Sequence, residues 1–349
     1  MLLPRFPATR FQGSKRKILP EIAALIEAEK CESIIDLYSG SGIVALLFRY
    51  LGKKVLANDY LKYNQNTASL FLSYSQEELS ALDLDADLDF LLNHRADDFE
   101  SIVSDEFQGV YFKPHENSEI DNFCQNIQRY CGLKQSLYIY AVGQALIKKR
   151  PYNLFHRANL DMRLKDVVRS FGNAKTWETS IKEHAVKCIK ELAALPAVDA
   201  RQPITTCVDT ACLEALPQDY DVVYMDPPYM NGKSVSVNYS NFYHFLEGLC
   251  DYSLFSKGDT RYPHKPIVNI ESAWHKKESA LKQLKYICEY FHSSTIIMSY
   301  RSDGTPSPLE IQAVMQGCGR QVEIHTAGEY KYALSKNADN EEIFIIARL

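Results

Sequence analysis

Asp226 closes an apolar run and is followed at once by Pro227, Pro228 and Tyr229, in 220-YDVVYMDPPYMNGKS-234. Proline fixes φ and has no N–H, so the pair makes a rigid exit from a buried strand. The Asp226 carboxylate and the Pro227 carbonyl then become two acceptors aimed at one place, which suits an –NH2 group with two hydrogens. The Tyr229 ring offers a face for stacking on a planar heterocycle, a contact worth about 1–3 kcal/mol. Together these residues describe a pocket for a nucleobase amine, with the base swung out of its duplex to reach it. The blander alternative is a strand exit with turn chemistry and a core tyrosine.

A second constellation is 36-DLYSGSG-42. It lies between a short apolar run and a helical stretch, and Gly40 and Gly42 permit a tight strand-to-helix turn with close approach of a ligand. The spacing is not GxGxxG and no Walker lysine follows, which disfavours dinucleotide and nucleoside-triphosphate readings. The next apolar run ends in Asn58-Asp59. An acid there suits hydrogen bonding to two ribose hydroxyls. Asp209, closing 203-PITTCVD-209, either accepts from an adenine amine or caps a helix starting near Ala211.

The elements that must position these groups alternate. Strand-like runs occur at 33–39, 54–60, 203–209, 220–226, 294–300 and 342–348, with amphipathic helical stretches at 16–30, 43–53 and 277–293. Such alternation argues for a mostly parallel sheet covered on both faces. The interval 61–199 breaks the rhythm and reads as helices at 76–94, 121–132, 134–150 and 177–195, a helical insertion in an α/β domain. The segment 230–241 reads as a polar loop that closes over the base, with Lys233 on a phosphate, or as a linker.

Net charge is −5, yet its distribution is uneven. Residues 76–121 hold 14 acidic and two basic side chains; residues 134–190 hold 12 basic and four acidic ones. The first 17 residues add Arg5, Arg10, Lys15, Arg16 and Lys17 with no acid. The basic block, with Tyr138, Tyr140, Tyr152 and Trp177 interleaved, fits a DNA-facing helical surface, about half of those aromatics being core. Charge runs are also what solvated helix faces look like. The nine cysteines are scattered without a CxxC pair, as in reduced cytosolic chains, and no metal site is expected. The N-terminal leucines are too few for a signal peptide, and no apolar run reaches membrane-spanning length.

DPPY, the DxxxGxG turn, Asn58-Asp59 and 11-FQGSKRKILPEI-22 together resemble the amino-methylating DNA methyltransferases, most closely the adenine-specific D12 class that includes the Dam-type enzymes. Phe11, Gly13 and Lys15 fill that class's opening (Tyr/Trp/Phe)-x-G-x-K segment, and Tyr38 stands where phenylalanine is usual. The resemblance covers the catalytic scaffold and is weak in the insert. It implies a Rossmann-like S-adenosylmethionine (AdoMet) methyltransferase sheet formed by 1–60 and 200–349, with 61–199 as an inserted target-recognition domain. It implies AdoMet contacts from Phe11, Lys15, Asp36, Tyr38, Gly40, Gly42, Asp59 and Asp209. Asp226, Pro227, Pro228 and Tyr229 would form the base pocket. The partner implied is double-stranded DNA, and the setting a cytoplasmic, monomeric modification methylase, solitary or with a restriction endonuclease encoded nearby. The rivals are an RNA adenine N6-methyltransferase, a cytosine N4 enzyme with a similar pocket, and an inactive DNA-binding relative.

Overall fold

The computed structural model describes residues 3–165, 173–197, 204–230, 238–327 and 341–349. Its centre is a seven-stranded sheet: β1 (Ser33–Asp36), β2 (Lys54–Asn58), β3 (Ile204–Thr206), β4 (Val222–Met225), β5 (Thr295–Arg301), β6 (Gln321–Thr326) and β7 (Glu342–Arg348). The spatial order is β3-β2-β1-β4-β5-β7-β6. The first five strands run parallel; β7 is antiparallel to both β5 and β6. All six runs expected from the sequence are strands. β6 is the addition.

β1 and β4 are buried along their whole length, because both faces of the sheet are covered. Alternate residues of a strand point to opposite faces, and the core divides accordingly. Ile34, Val55, Val222, Tyr224, Ile297 and Phe344 face one cluster, while Ile35, Leu56, Val223, Met225, Met298 and Ile345 face the other. The first face is covered by α1 (Leu19–Glu29), α2 (Ile43–Tyr50) and α3 (Lys62–Ser73). Burying a Leu, Ile or Phe side chain is worth about 1.5–3 kcal/mol, so these rows dominate the stability of the sheet.

Between β2 and β3 the described residues are helical. After α3 come α4 (Gln76–Ser80), α5 (Leu84–Asn93), α6 (Ile102–Glu106), α7 (Pro114–Asn126), α8 (Gly132–Lys148), α9 (Asn173–Glu178) and α10 (Ile181–Ala193). The stretch expected as one helix at 76–94 is two, because Asp83 starts a new helix by accepting from the Ala86 N–H. These helices share the first core cluster with the sheet. α11 (Tyr239–Cys250) follows β4, then α12 (Lys277–Tyr290) and α13 (Pro308–Gly317). The α3–α8 contact needs Gly143, where a Cβ would stand 2.3 Å from the Tyr63 ring. Among the described residues no helix is long and apolar enough to cross a membrane, and no group of three or more potential metal ligands occurs.

Candidate active site

Strand order reverses between β1 and β4: the chain steps outward from β1 to β2 and β3, then returns to β4 on the other side. Ligands of open α/β sheets bind at this switch point, outside the carboxyl ends of the strands. Register aligns those ends. Asp36 pairs with Ala57 on one side and Tyr224 on the other, so Asp59 and Asp226 stand level with each other, two residues beyond Asp36. One pocket there is lined by Phe11, Lys15, Asp36, Tyr38, Gly40, Asp59, Asp226 and Pro228, eight of the twelve residues singled out in the sequence. Tyr38 and Pro228 also line an adjoining hollow with Asp209. Gly42, Pro227 and Tyr229 stand beside these hollows without lining them.

The glycine turn is built for approach. Gly40 and Gly42 have φ of +48° and +71°, a region costly to residues with a Cβ. A Cβ on Gly40 would lie 3.3 Å from the Phe11 ring, so that ring roofs the turn. Phe11 stacks with the rings of Tyr239 and Tyr243 on α11, at 5.6 and 4.4 Å between centroids, and Tyr243 accepts the Gln12 N–H. The N-terminal segment is thereby fastened over the sheet. Tyr239 lines the pocket too; it was missed because 230–241 reads as a loop. Residues 231–237 of that segment, Lys233 included, lie outside the described residues.

The carboxylates differ in what they touch. Asp59 accepts from the Gly40 and Leu61 N–H groups, each at 2.9 Å, and from Asn64, so it ties the β1 turn to the end of β2. Burial, against those hydrogen bonds, raises its pKa to about 6. Asp36 is 1% exposed, and neither oxygen makes a hydrogen bond of ordinary geometry. Burial, then the Asp226 and Asp59 charges, push it well above the usual carboxylate range, with the Ala45 amide pulling the other way. Asp209 accepts from the Ala211 N–H and caps the short helix Thr210–Ala215 while it lines the adjoining hollow.

Asp226 is held from below. Lys15 Nζ lies 2.9 Å from its Oδ1 and 3.0 Å from Oε1 of Glu342, which is fully buried at the start of β7. Burial raises the Asp226 pKa to about 6; Lys15 opposes and Glu342 adds. The Asp226 side chain keeps 21% exposure and lines the pocket. The Tyr229 ring meets Tyr300 edge-on at 5.5 Å, with the Lys15 and Arg301 cations each 5.7 Å from its centroid.

The charge blocks meet each other in part. Lys134 pairs with Asp87, Lys182 with Asp85 and Asp89, and Lys149 and Arg163 with Glu116. Lys149, Arg150 and Arg163 are buried, as are Tyr138 and Tyr140, whereas Tyr152 is 65% exposed and Trp177 is half-buried. The basic face left outside is therefore smaller than the sequence count.

A parallel sheet with a reversed strand inserted near its edge, and an acidic pocket at the switch point, define an α/β methyltransferase fold. The family model of the D12 class N6 adenine-specific DNA methyltransferases matches residues 11–253, and the chain belongs to that family. Its relatives include the modification methylase StsI of Streptococcus sanguinis, 23% identical over 367 aligned positions that cover 96% of this chain and 50% of that protein. Another is the type II methyltransferase M.FokI of Planomicrobium okeanokoites, 26% identical over 339 positions, covering 89% and 47%. The chain spans about half the length of these relatives.

Proposed function

We propose that the protein transfers a methyl group from S-adenosylmethionine to the N6 amine of a flipped-out adenine in duplex DNA. The observation that carries this reading is the gathering of Asp36, Asp59, Asp226 and Lys15 in one pocket at the switch point. The donor set fits AdoMet, whose sulfonium and ammonium outweigh its single carboxylate. Asp36 is a buried carboxylate on the pocket lining whose oxygens carry no hydrogen bond of ordinary geometry, Asp59 has acceptor capacity left for ribose hydroxyls, and Phe11 roofs the glycine turn. When bound, AdoMet supplies a methyl carbon already activated by positive sulfur.

The remaining work belongs to the chain. Adenine N6 is a poor nucleophile because its lone pair is delocalised into the ring. Asp226 and the Pro227 carbonyl accept its two hydrogens and raise electron density on nitrogen as it becomes tetrahedral. As the N–C bond forms and the C–S bond breaks, positive charge grows on N6, and the Asp226 carboxylate stabilises it. The proton then leaves N6 for Asp226 or water. Holding the amine on Asp226 and the Pro227 carbonyl against a bound methyl donor would contribute roughly 7–11 kcal/mol. Tyr229, braced by Tyr300, stacks on the base.

The insert 61–199 reads as the target-recognition part. Arg157, Lys165, Lys175, Lys187 and Lys190 are exposed on it. Tyr152 stands on a turn where it and Asn153 hold positive φ. The Phe155 N–H donates to Phe242 O, which joins this turn to α11 and so to the pocket. The names of the relatives favour the modification half of a restriction–modification pair, and a cytoplasmic setting belongs to the same proposal. The test is methyl transfer from labelled AdoMet to unmethylated duplex DNA, with nucleosides identified by mass spectrometry and modified positions mapped by sequencing. N6-methyldeoxyadenosine at a fixed sequence supports the reading; label only in RNA, or on cytosine N4, overturns it.

A further inference from the structure

Glu342 lies beyond the segment matched by the family model, at the start of β7, and is fully buried. The antiparallel register sets it opposite Arg301, the last residue of β5, at the same end of the sheet as Asp226. It faces the side of Phe344 and Ile346, where the N-terminal segment carries Lys15. Its Oε1 receives both the Lys15 ammonium, at 3.0 Å, and the Ser299 hydroxyl. Lys15 is itself 3% exposed. An ammonium in that position needs a counter-charge, since an unpaired buried ion costs several kcal/mol. Asp226 alone would meet that need. The second carboxylate makes the cation shared.

We infer that Glu342 is a positioning residue for the transfer step: by sharing the Lys15 ammonium it fixes that cation on Oδ1 of Asp226 and leaves the other carboxylate oxygen to the substrate amine. This rests on the methyl-transfer reading above. Sharing matters because a carboxylate fully neutralised by its own lysine is a weak acceptor for an amine that is gaining positive charge. With Glu342 drawing on the same cation, Asp226 keeps more of its negative charge at the moment N6 needs it. The groups that face Asp226 are Lys15, Glu342, Asp36 of β1, Tyr224 of β4 and Tyr239 of α11. Glu342 and Asp226 both lie against the same Lys15 ammonium, at 3.0 and 2.9 Å.

The test is Glu342→Gln, which keeps shape and removes charge. Two quantities are read: the Asp226 carboxyl titration by 13C NMR in protein without ligand, assigned by its loss in Asp226→Asn, and kcat for DNA methylation against pH. With the Glu342 charge gone, Lys15 acts on Asp226 alone. The titration midpoint moves down from near 6, the acid limb of kcat moves down with it, and plateau kcat falls about tenfold or more, in the range of a weakened transition-state hydrogen bond. KM for DNA stays near the parental value. A Glu342 that serves only to stabilise the sheet lowers the melting temperature and the active fraction but leaves midpoint and limb in place; that result overturns the inference. Should Glu342→Gln not fold, Glu342→Asp keeps the charge but draws it back from Lys15 by one methylene. The Asp226 midpoint and the acid limb of kcat then move down together, and a midpoint equal to the parent's again overturns the inference. If the midpoint shifts as stated but the parent protein methylates no DNA, the methyl-transfer reading fails while the link from Glu342 to Asp226 stands.

Discussion

Asp36→Asn sets stability against binding. Asp36 is 1% exposed, its oxygens lack hydrogen bonds of ordinary geometry, and Asp59 and Asp226 add like charge. A buried polar group without a partner costs about 1–3 kcal/mol, more when charged. Asparagine has the same shape and no charge, and its NH2 can donate to neighbouring carboxylates. Without ligand the variant is therefore more stable by about 1–3 kcal/mol, a rise of a few degrees in melting temperature. The same carboxylate is the acceptor assigned to a cationic cofactor. Losing a hydrogen bond to a charged group removes about 1.5–3 kcal/mol, or roughly 10- to 150-fold in affinity. At a ligand concentration 100 times the parental Kd, the parent gains about 2.7 kcal/mol from binding, and a variant 30-fold weaker gains only about 0.9 kcal/mol. Calorimetry with and without sinefungin, an AdoMet analogue with no methyl to give, reads both quantities. The variant should melt above the parent without ligand and gain less from it. A variant that melts lower than the parent and gains the same ligand shift would refute the assignment of Asp36.

Asp226→Ala should lower kcat on the order of 10²-fold or more while AdoMet affinity, by titration calorimetry, largely survives. Methyl transfer by the parent should fall away as pH drops through about 6, because the raised Asp226 pKa means that its carboxylate is lost there; a flat rate between pH 5 and 7.5 would contradict this. AdoMet affinity should rise with pH through about 6 as Asp59 ionises, measured as proton release on binding. Gly143→Ala places a Cβ 2.3 Å from the Tyr63 ring and should destabilise the protein by about 1–3 kcal/mol through overpacking, read by denaturant unfolding.

Much of this was legible in the sequence for a physical reason. Short apolar runs ended by an acid, as at Asp36 and Asp226, carry both the strand and the pocket-lining residue at its end in a few residues. β6 was missed because 321-QVEIHT-326, mostly exposed at the sheet edge, has no apolar run, although its polar–apolar alternation is the pattern of an edge strand. α3 was hidden by a polar first turn, and its start is held by Glu247 on α11, whose carboxylate accepts the Lys62 and Tyr63 N–H groups. No local pattern could announce that contact. The basic block misled by count, because composition does not show that Lys149 and Arg163 turn inward onto Glu116. Glu342 had the clearest missed signal. A carboxylate opening the apolar run 342-EIFIIAR-348 is the mirror of Asp36 closing one, but its partner Lys15 lies at the other end of the chain.

The most direct measurement is a structure of the protein with sinefungin and a duplex carrying its mapped target adenine. The adenine should lie outside the helix, its N6 within about 2.7–3.2 Å of Asp226 and of the Pro227 carbonyl, with Asp36 beside the analogue's ammonium groups. An adenine still stacked in the duplex, or an N6 turned away from Asp226 with Lys15 between them, would contradict the central claim.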